Sequence, residues 1–246
     1  MGTGNAVTRI IYMARCARMI LPGVPHHVVA RGVDGLCIFL SGSDKRRYLK
    51  RFVRIADEVG VTVHAYCLMN NHVHWLVTPQ KEASLAKLFQ RLHTSWAGFY
   101  NRRERRTGHL FQNRYHSTPV DENHYWTALR YIEVNPRRAG LIESLQDWEH
   151  SSAKAHLTGT EDPLIKLALE AWRYRFGPAQ WRAFLEQTDS ERELSLRRAQ
   201  AGSRPCGAVA WIEEMEQTRG RKLGWSPPGR PRKAPAAAVK IASAIH

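Results

Sequence analysis

Residues 61–79 hold two β-rich runs, Val61 to Leu68 and His72 to Val77, separated by the short break Met69-Asn70-Asn71. Asparagine tolerates turn conformations, so the stretch predicts a tight antiparallel hairpin. Residues i and i+2 of a strand point to the same face, so His72 and His74 project together while Val73 turns away. Two imidazoles side by side on a rigid strand are half of a divalent-metal site. The same spacing also suits two hydrogen-bonded histidines on a half-buried strand, so residues elsewhere in the chain have to decide.

The chain on either side of the hairpin reads as alternating strands and helices. Pro25 to Arg31 is a first strand, and Leu36 to Leu40 a short apolar continuation of it. Ser43 or Asp44 caps a helix running to about Val59, with Tyr48, Leu49, Phe52, Ile55 and Ala56 at helical spacing and Gly60 closing it. Ser84 opens a longer helix whose Leu85, Leu88, Phe89, Leu92, Trp96, Phe99 and Tyr100 keep the i, i+3, i+4, i+7 register until Asn101 to Gly108 breaks it. Phe111 to Val120 is a fourth strand. A helix capped by Asp121 follows and must stop near Asn135, because Pro136 comes next. Strand–helix–strand–strand–helix–strand plus one extra helix predicts an α+β fold, a ferredoxin-like antiparallel sheet backed by two helices. Beyond Leu157 the pattern changes to three short helices, Asp162 to Phe176, Pro178 to Ala201 and Cys206 to Thr218. The expected organisation is a disordered extension over 1–12, a main domain over 13–157, a small helical region over 158–224 and a basic Pro-rich tail over 225–246.

Composition narrows the partner. Lys and Arg number 37 against 22 Asp and Glu, a formal charge of +15, and the pI is near 10.1. Such a balance favours a polyanion, nucleic acid before membrane. No apolar run approaches the roughly 18 residues a membrane span needs, so no membrane partner is expected and a cytoplasmic, nucleoid-associated location is. Cys16, Cys37, Cys67 and Cys206 are scattered with no Cys-x-x-Cys pair, as buried or incidental thiols in a reducing compartment would be.

The extra helix supplies what the histidine pair lacks. Its core stripe is Tyr125, Ala128, Leu129 and Ile132, while Tyr131 and Asn135 stand one turn apart on a neighbouring side. If this helix packs beside the hairpin, Asn135 can complete a His–His–Asn metal set with Tyr131 close by. Taken singly, Tyr131 reads first as a tyrosine at the core edge and Asn135 as a C-terminal cap; jointly with the histidines, the metal reading prevails. Tyr115 is the competing nucleophile, without a polar partner one helical turn away.

Three motifs in order, Met69-Asn-Asn-His-Val-His74, Arg106-Thr-Gly-His-Leu-Phe-Gln-Asn-Arg-Tyr115 and Arg130-Tyr-Ile-Glu-Val-Asn-Pro-Arg-Arg-Ala-Gly-Leu141, resemble the single-tyrosine HUH transposases, and within them the REP-associated tyrosine transposases. The resemblance runs from about Met13 to His156. It implies Tyr131 as nucleophile, His72 and His74 as metal ligands and Asn135 in the third-ligand position, where mobile-element relatives usually carry Gln. Asn70 departs from the Pro or Asp common in relatives. The activity implied is metal-dependent cleavage and strand transfer of single-stranded DNA at palindromic, REP-like hairpins, through a 5′-phosphotyrosine intermediate. Imidazole and amide ligands suit Mg²⁺ or Mn²⁺, with Zn²⁺ left open by ligand type alone. The expected partner is single-stranded or hairpin DNA, and the expected state a monomer or homodimer. The alternative is a domesticated, non-catalytic hairpin-binding or regulatory protein. An RNA-binding ferredoxin-like module would instead place aromatic pairs on the sheet face, where this sheet offers histidines.

Between Arg91 and Arg138 there are nine arginines, no lysine and four acids. Guanidinium groups grip phosphates bidentately. Arg102, Arg103, Arg105, Arg106, Arg114, His116, Arg137 and Arg138 are therefore the candidate DNA track. Arg230 and Arg232, in the AT-hook-like Gly229-Arg-Pro-Arg-Lys233, are further candidates in a segment that also reads as a solvated tail. Trp126 is the candidate base-stacking residue, since Trp96 and Tyr100 lie on a core stripe.

Overall fold

The structure is a computed structural model that describes residues 18–220; the readings of the N-terminal extension, of the basic tail and of Arg230 and Arg232 lie outside the described residues. Alternation within the strands builds the sheet. β1 (His26–Arg31), β2 (Val61–Leu68), β3 (His72–Pro79) and β4 (His116–Pro119) pair antiparallel in the order β2-β3-β1-β4, with α1 (Gly42–Val59) and α2 (Ser84–Arg103) between them in sequence. This is the ferredoxin-like arrangement. Val28, Ala30, Val73, Trp75 and Val77 face one way and pack beneath α1 and α2. The alternate residues, His27 and Val29 of β1 and His72, His74 and Leu76 of β3, face the other way. A bulge between Val63 and Ala65 of β2 turns Ala65 and Cys67 onto that second face.

Local chemistry explains the element ends, with several departures from the sequence reading. Ser41, rather than Ser43 or Asp44, caps α1 by accepting from the Asp44 backbone N–H. Asp44 lies inside the helix, with its carboxylate on the Leu40 N–H and the Arg103 guanidinium. Gly60 closes α1 at φ 69, where a Cβ would also meet the Gln80 side chain at 2.5 Å. Leu36 to Leu40 does not continue the first strand. Its Ile38 and Phe39 N–H groups both donate to the Asn70 carbonyl, which ties the segment to the hairpin turn. α2 runs through Asn101 to Arg103, and the Asn101 amide donates to the Gly108 carbonyl, closing the loop instead of ending the helix. The fourth strand is shorter than Phe111 to Val120. Phe111 makes a single bridge to Gly32, and Tyr115 turns into the core against Phe89 of α2, at 4.6 Å between ring centroids.

The second sheet face is covered by α3 (Glu122–Glu133), capped by Asp121 as expected, which the short α4 (Asn135–Arg138) extends. The chain then continues through α5 (Ala153–Thr158), α6 (Glu170–Arg175), α7 (Pro178–Glu186), α8 (Ser190–Gly202) and α9 (Val209–Arg219). The expected helix over Pro178 to Ala201 is broken in two, because Asp189 caps a fresh start at α8. Among the described residues Cys37 is exposed, whereas Cys67 and Cys206 are buried free thiols. This later part of the chain also closes both sheet edges. Leu68 N–H donates to His150 O and Ser152 N–H to Tyr66 O beside β2, while Cys206 N–H donates to Pro119 O beside β4. Covered edges offer no template for pairing with another chain.

Glu133, at the end of α3, has a fully buried carboxyl. It accepts from Ser152 Oγ at 2.6 Å, His156 Nδ1 at 2.6 Å and Trp181 Nε1 at 3.0 Å, so it joins α3 to α5 and α7. Removing one member of such a cluster strands the others without partners. Glu133→Ala is expected to destabilise the fold by about 3–5 kcal/mol. Urea denaturation checks this, and a change within about 0.5 kcal/mol would contradict it.

Candidate active site

Register brings the polar face of the sheet together. Val29 of β1 pairs with His74 and Arg31 with His72, so His27 lies diagonal to His74 on the same face. The result is three imidazoles in a row. His27 Nε2 and His74 Nδ1 are 3.0 Å apart, and the His72 and His74 ring centroids are 4.9 Å apart. His72 Nδ1 lies 2.6 Å from Asn71 Oδ1, which orients its ring from the hairpin turn.

α3 crosses this face and completes the set. The chain does not stop at Asn135: Val134 keeps helical angles of φ −81 and ψ −3, and Pro136, which needs no N–H there, enters the first turn of α4. Helical periodicity therefore carries from Tyr131 to Asn135. The Asn135 amide nitrogen lies 3.3 Å from His74 Nε2, and the same side chain hydrogen-bonds His72. The Tyr131 ring meets both the His27 and His74 rings edge-on at 5.8 Å. Burial, with the nearby charge of Arg31, pushes the His72 pKa down to about 4. Burial, with the neighbouring His72 and His27, holds His74 well below the ordinary histidine range. Both imidazoles are thus neutral at physiological pH and keep a lone pair. Two neutral imidazoles and an amide gathered within hydrogen-bonding reach fit a divalent cation with open positions. Among the described residues no cluster of three His, Cys, Asp or Glu side chains offers a competing site.

Two guanidinium groups flank Tyr131. Arg138 of α4 lies 4.9 Å and Arg197 of α8 5.6 Å from its ring centroid. Glu193 of α8 receives Arg138 at 2.7 Å and the buried Arg130 at 3.3 Å, which fixes α8 against the end of α3. Arg137 pairs with Glu186. Arg103 is engaged by Asp44 and Glu104, and Arg102, Arg105 and Arg114 are exposed. The loop carrying Arg105 and Arg106 returns to β1, where Gln112 N–H donates to Arg31 O, and Arg31 pairs with His72. His116, on β4, stands 3.1 Å from Ser203 Oγ.

Two sequence candidates are placed elsewhere. Tyr115 is buried in the layer beneath α2, across the sheet from the histidines. Trp126 is buried against Phe176 and Trp181 and presents no face for base stacking. Conversely, His27 and Arg197 join the site without having been singled out in the sequence. Strand alternation puts His27 on one face with Val29, but only the β1–β3 register shows that this face carries His74. No local signal marks Arg197, which arrives from more than 60 residues along the chain after Tyr131.

A sheet of this order with α3 laid over a histidine-bearing face is an α+β fold shared with a solved tyrosine transposase. The sequence model of the IS200-like transposases matches residues 37–135, about two fifths of the chain. The structure resembles a solved one described as a REP-associated tyrosine transposase bound to a REP hairpin. The TM-score is 0.51 at 13% identity, covering 59% of this chain and 86% of that chain, so the likeness is one of fold. No curated protein matches the sequence. His27 and Arg197 both lie outside the matched residues.

Buried imidazoles other than His27, His72 and His74 set a pH dependence. Burial lowers the pKa of His26 to about 4, of His64 to about 4 and of His93 to about 3. The unfolded chain binds these protons near pH 6.5, so as pH falls from there towards 4 it gains protons that the folded state refuses, and stability drops. Thermal melts should therefore show Tm falling steadily from about pH 6.5 towards pH 4. A flat Tm over that interval would contradict the assignment.

Proposed function

We propose that this protein is a divalent-metal-dependent endonuclease and strand transferase acting on single-stranded DNA beside palindromic, REP-like hairpins, with Tyr131 as nucleophile. The observation that carries the reading is the convergence of Tyr131, His72, His74 and Asn135 from one chain onto one point of the sheet. The family match supports a transposase-type activity on DNA, and the solved relative's REP hairpin supports the substrate class. The four residues serve no purpose in a protein that only binds DNA, which weighs against the non-catalytic alternative.

Each residue has a chemical role in this reading. The Tyr131 oxygen, having lost its proton, attacks the scissile phosphorus; a P–O bond forms to tyrosine as the P–O bond to the 3′ carbon's oxygen breaks. The departing oxygen takes up a proton and becomes a free 3′-hydroxyl, leaving a 5′-phosphotyrosine. His72, His74 and Asn135 would hold Mg²⁺ or Mn²⁺, which when bound neutralises phosphate charge and orients the group for in-line attack. Arg138 and Arg197 lie where guanidinium groups can take the phosphate oxygens beside the tyrosine. Arg102, Arg105, Arg106 and Arg114 would track the backbone, with Arg103, Arg137 and His116 at its margins. Nucleophile and histidines come from the same chain, so a monomer suffices for cleavage in cis. Residues 13–157 then form the nuclease domain, and the helical region of 158–224 contributes Arg197. Among the described residues no helix is long and apolar enough to cross a membrane; DNA as substrate points to a cytoplasmic, nucleoid-associated protein.

The test is a denaturing gel of labelled single-stranded hairpin DNA with Mg²⁺ or Mn²⁺, the hairpins drawn from sequences flanking the gene. Wild type and Tyr115→Phe should form a covalent protein–DNA band, and Tyr131→Phe should form none. Loss of the band in Tyr115→Phe alone, or binding without an adduct by every protein on several hairpins, would reject the reading. Arg197→Gln is expected to slow adduct formation by about 10²-fold, as loss of a donor to a charged transition state does, with Tm unchanged.

A further inference from the structure

The imidazole of His27 takes no part in the reaction just described, yet it is fully buried and in direct contact with His74. Its position limits what it can do. One nitrogen, Nε2, lies 3.0 Å from His74 Nδ1. The other, Nδ1, is buried and has no hydrogen-bond partner among the described residues. His27 therefore has one polar contact, and that contact is to His74.

His74 presents its two nitrogens in opposite directions. Nε2 faces Asn135 at 3.3 Å, the side on which the amide also reaches His72. Nδ1 faces His27. A neutral imidazole has one N–H and one lone pair. For Nε2 to offer its lone pair on the Asn135 side, the proton has to sit on Nδ1, and the acceptor the structure provides for it is His27 Nε2. The reverse tautomer would turn an N–H towards the space the other donors share. The buried pair thus has two proton arrangements, and one of them readies His74.

We propose that His27 is a positioning residue that accepts a hydrogen bond from His74 Nδ1–H and so holds His74 in the tautomer whose Nε2 can ligate a divalent cation. Outer partners of ligating histidines fix both tautomer and ring orientation, and their loss typically weakens metal binding by about 10–100-fold. The proposal rests on the metal-binding reading of His72, His74 and Asn135. It adds a fourth side chain, from β1, that neither the histidine pair nor the family match over 37–135 includes.

Two readouts on the full chain without DNA test it. Mn²⁺ binding by isothermal titration is compared for wild type, His27→Phe and His27→Gln. Phe keeps the ring volume and removes the acceptor; the Gln amide oxygen can occupy the place of the imidazole Nε2. Long-range ¹H–¹⁵N spectra of the metal-free proteins report which His74 nitrogen carries the proton. The expected result is a 10–100-fold weaker Mn²⁺ affinity in His27→Phe, most of it recovered in His27→Gln. His74 should be protonated at Nδ1 in wild type and His27→Gln, and at Nε2 in His27→Phe. Wild-type affinity in His27→Phe, or a His74 protonated at Nε2 in wild type, overturns the proposal. Should wild type bind no Mn²⁺, the metal reading itself fails, and the spectra still decide whether His27 sets the His74 proton. Thermal melts of the variants separate either result from loss of folding.

Discussion

The buried carboxyl of Glu133 is the contact on which the geometry of the site depends. An apolar stripe holds a helix against a sheet but tolerates small rotations about its axis, because dispersion and area burial are nearly indifferent to them. A carboxyl held by Ser152, His156 and Trp181 does not tolerate them. Glu133 stands two residues after Tyr131 and two before Asn135, about 200° around the helix from each. Fixing the back of α3 in this way fixes its front, where Tyr131 and Asn135 meet the histidines. The side chains that secure α3 come from α5, α7 and the segment between α4 and α5. The site on the sheet is therefore aimed by elements that follow it in sequence.

The sheet itself divides its labour by face. One face is apolar and carries the stacked Phe52–Trp75 pair and the helices α1 and α2. The other carries imidazoles that would be expensive to bury without partners. Here they partner each other and Asn135, with His27 Nδ1 left without a partner among the described residues. Such a face cannot be left to open solvent while α3 and the later helices lie on it, and it cannot be made apolar without losing the chemistry. The bulge at β2 contributes by turning Ala65 and Cys67, both small, onto the face where α3 must approach closely.

The fold was legible because its signals are local. The Met69-Asn70-Asn71 turn, the Gly60 stop and the Asp121 cap each act within a few residues, and the i, i+4 spacing of Tyr131 and Asn135 survives the Val134 junction. What escaped was settled by distant partners. Leu36 to Leu40 is apolar enough for a strand, but the Asn70 carbonyl claims its N–H groups. Trp126 lies off the apolar stripe of its helix, and Phe176 and Trp181, some 50 residues later, bury it. The helix over Pro178 to Ala201 has no Gly or Pro to break it, and the cap at Asp189 does so through a single side chain. His27 belongs to the same class: its strand and its face follow from alternation, its neighbour only from register.

The same logic assigns the later helices a place in the site. Glu193 on α8 takes Arg130 and Arg138 together, so a carboxylate is placed within a concentration of like charge that α3 and α4 would otherwise hold alone. Guanidinium groups crowded without a counter-charge repel one another, and a phosphate entering the site would meet side chains free to swing away. With Glu193 in place, Arg130 is buried as a packing element and Arg138 is held over the Tyr131 ring. Arg197, one turn along α8 from Glu193, is carried to the other position over the same ring, and among the described residues it has no acidic partner of its own. One helix thus supplies both an acid that pairs Arg130 and Arg138 and a further cation over the tyrosine ring. Neither group is available from the sheet and α3 by themselves; both come from a helix beyond residues 37–135.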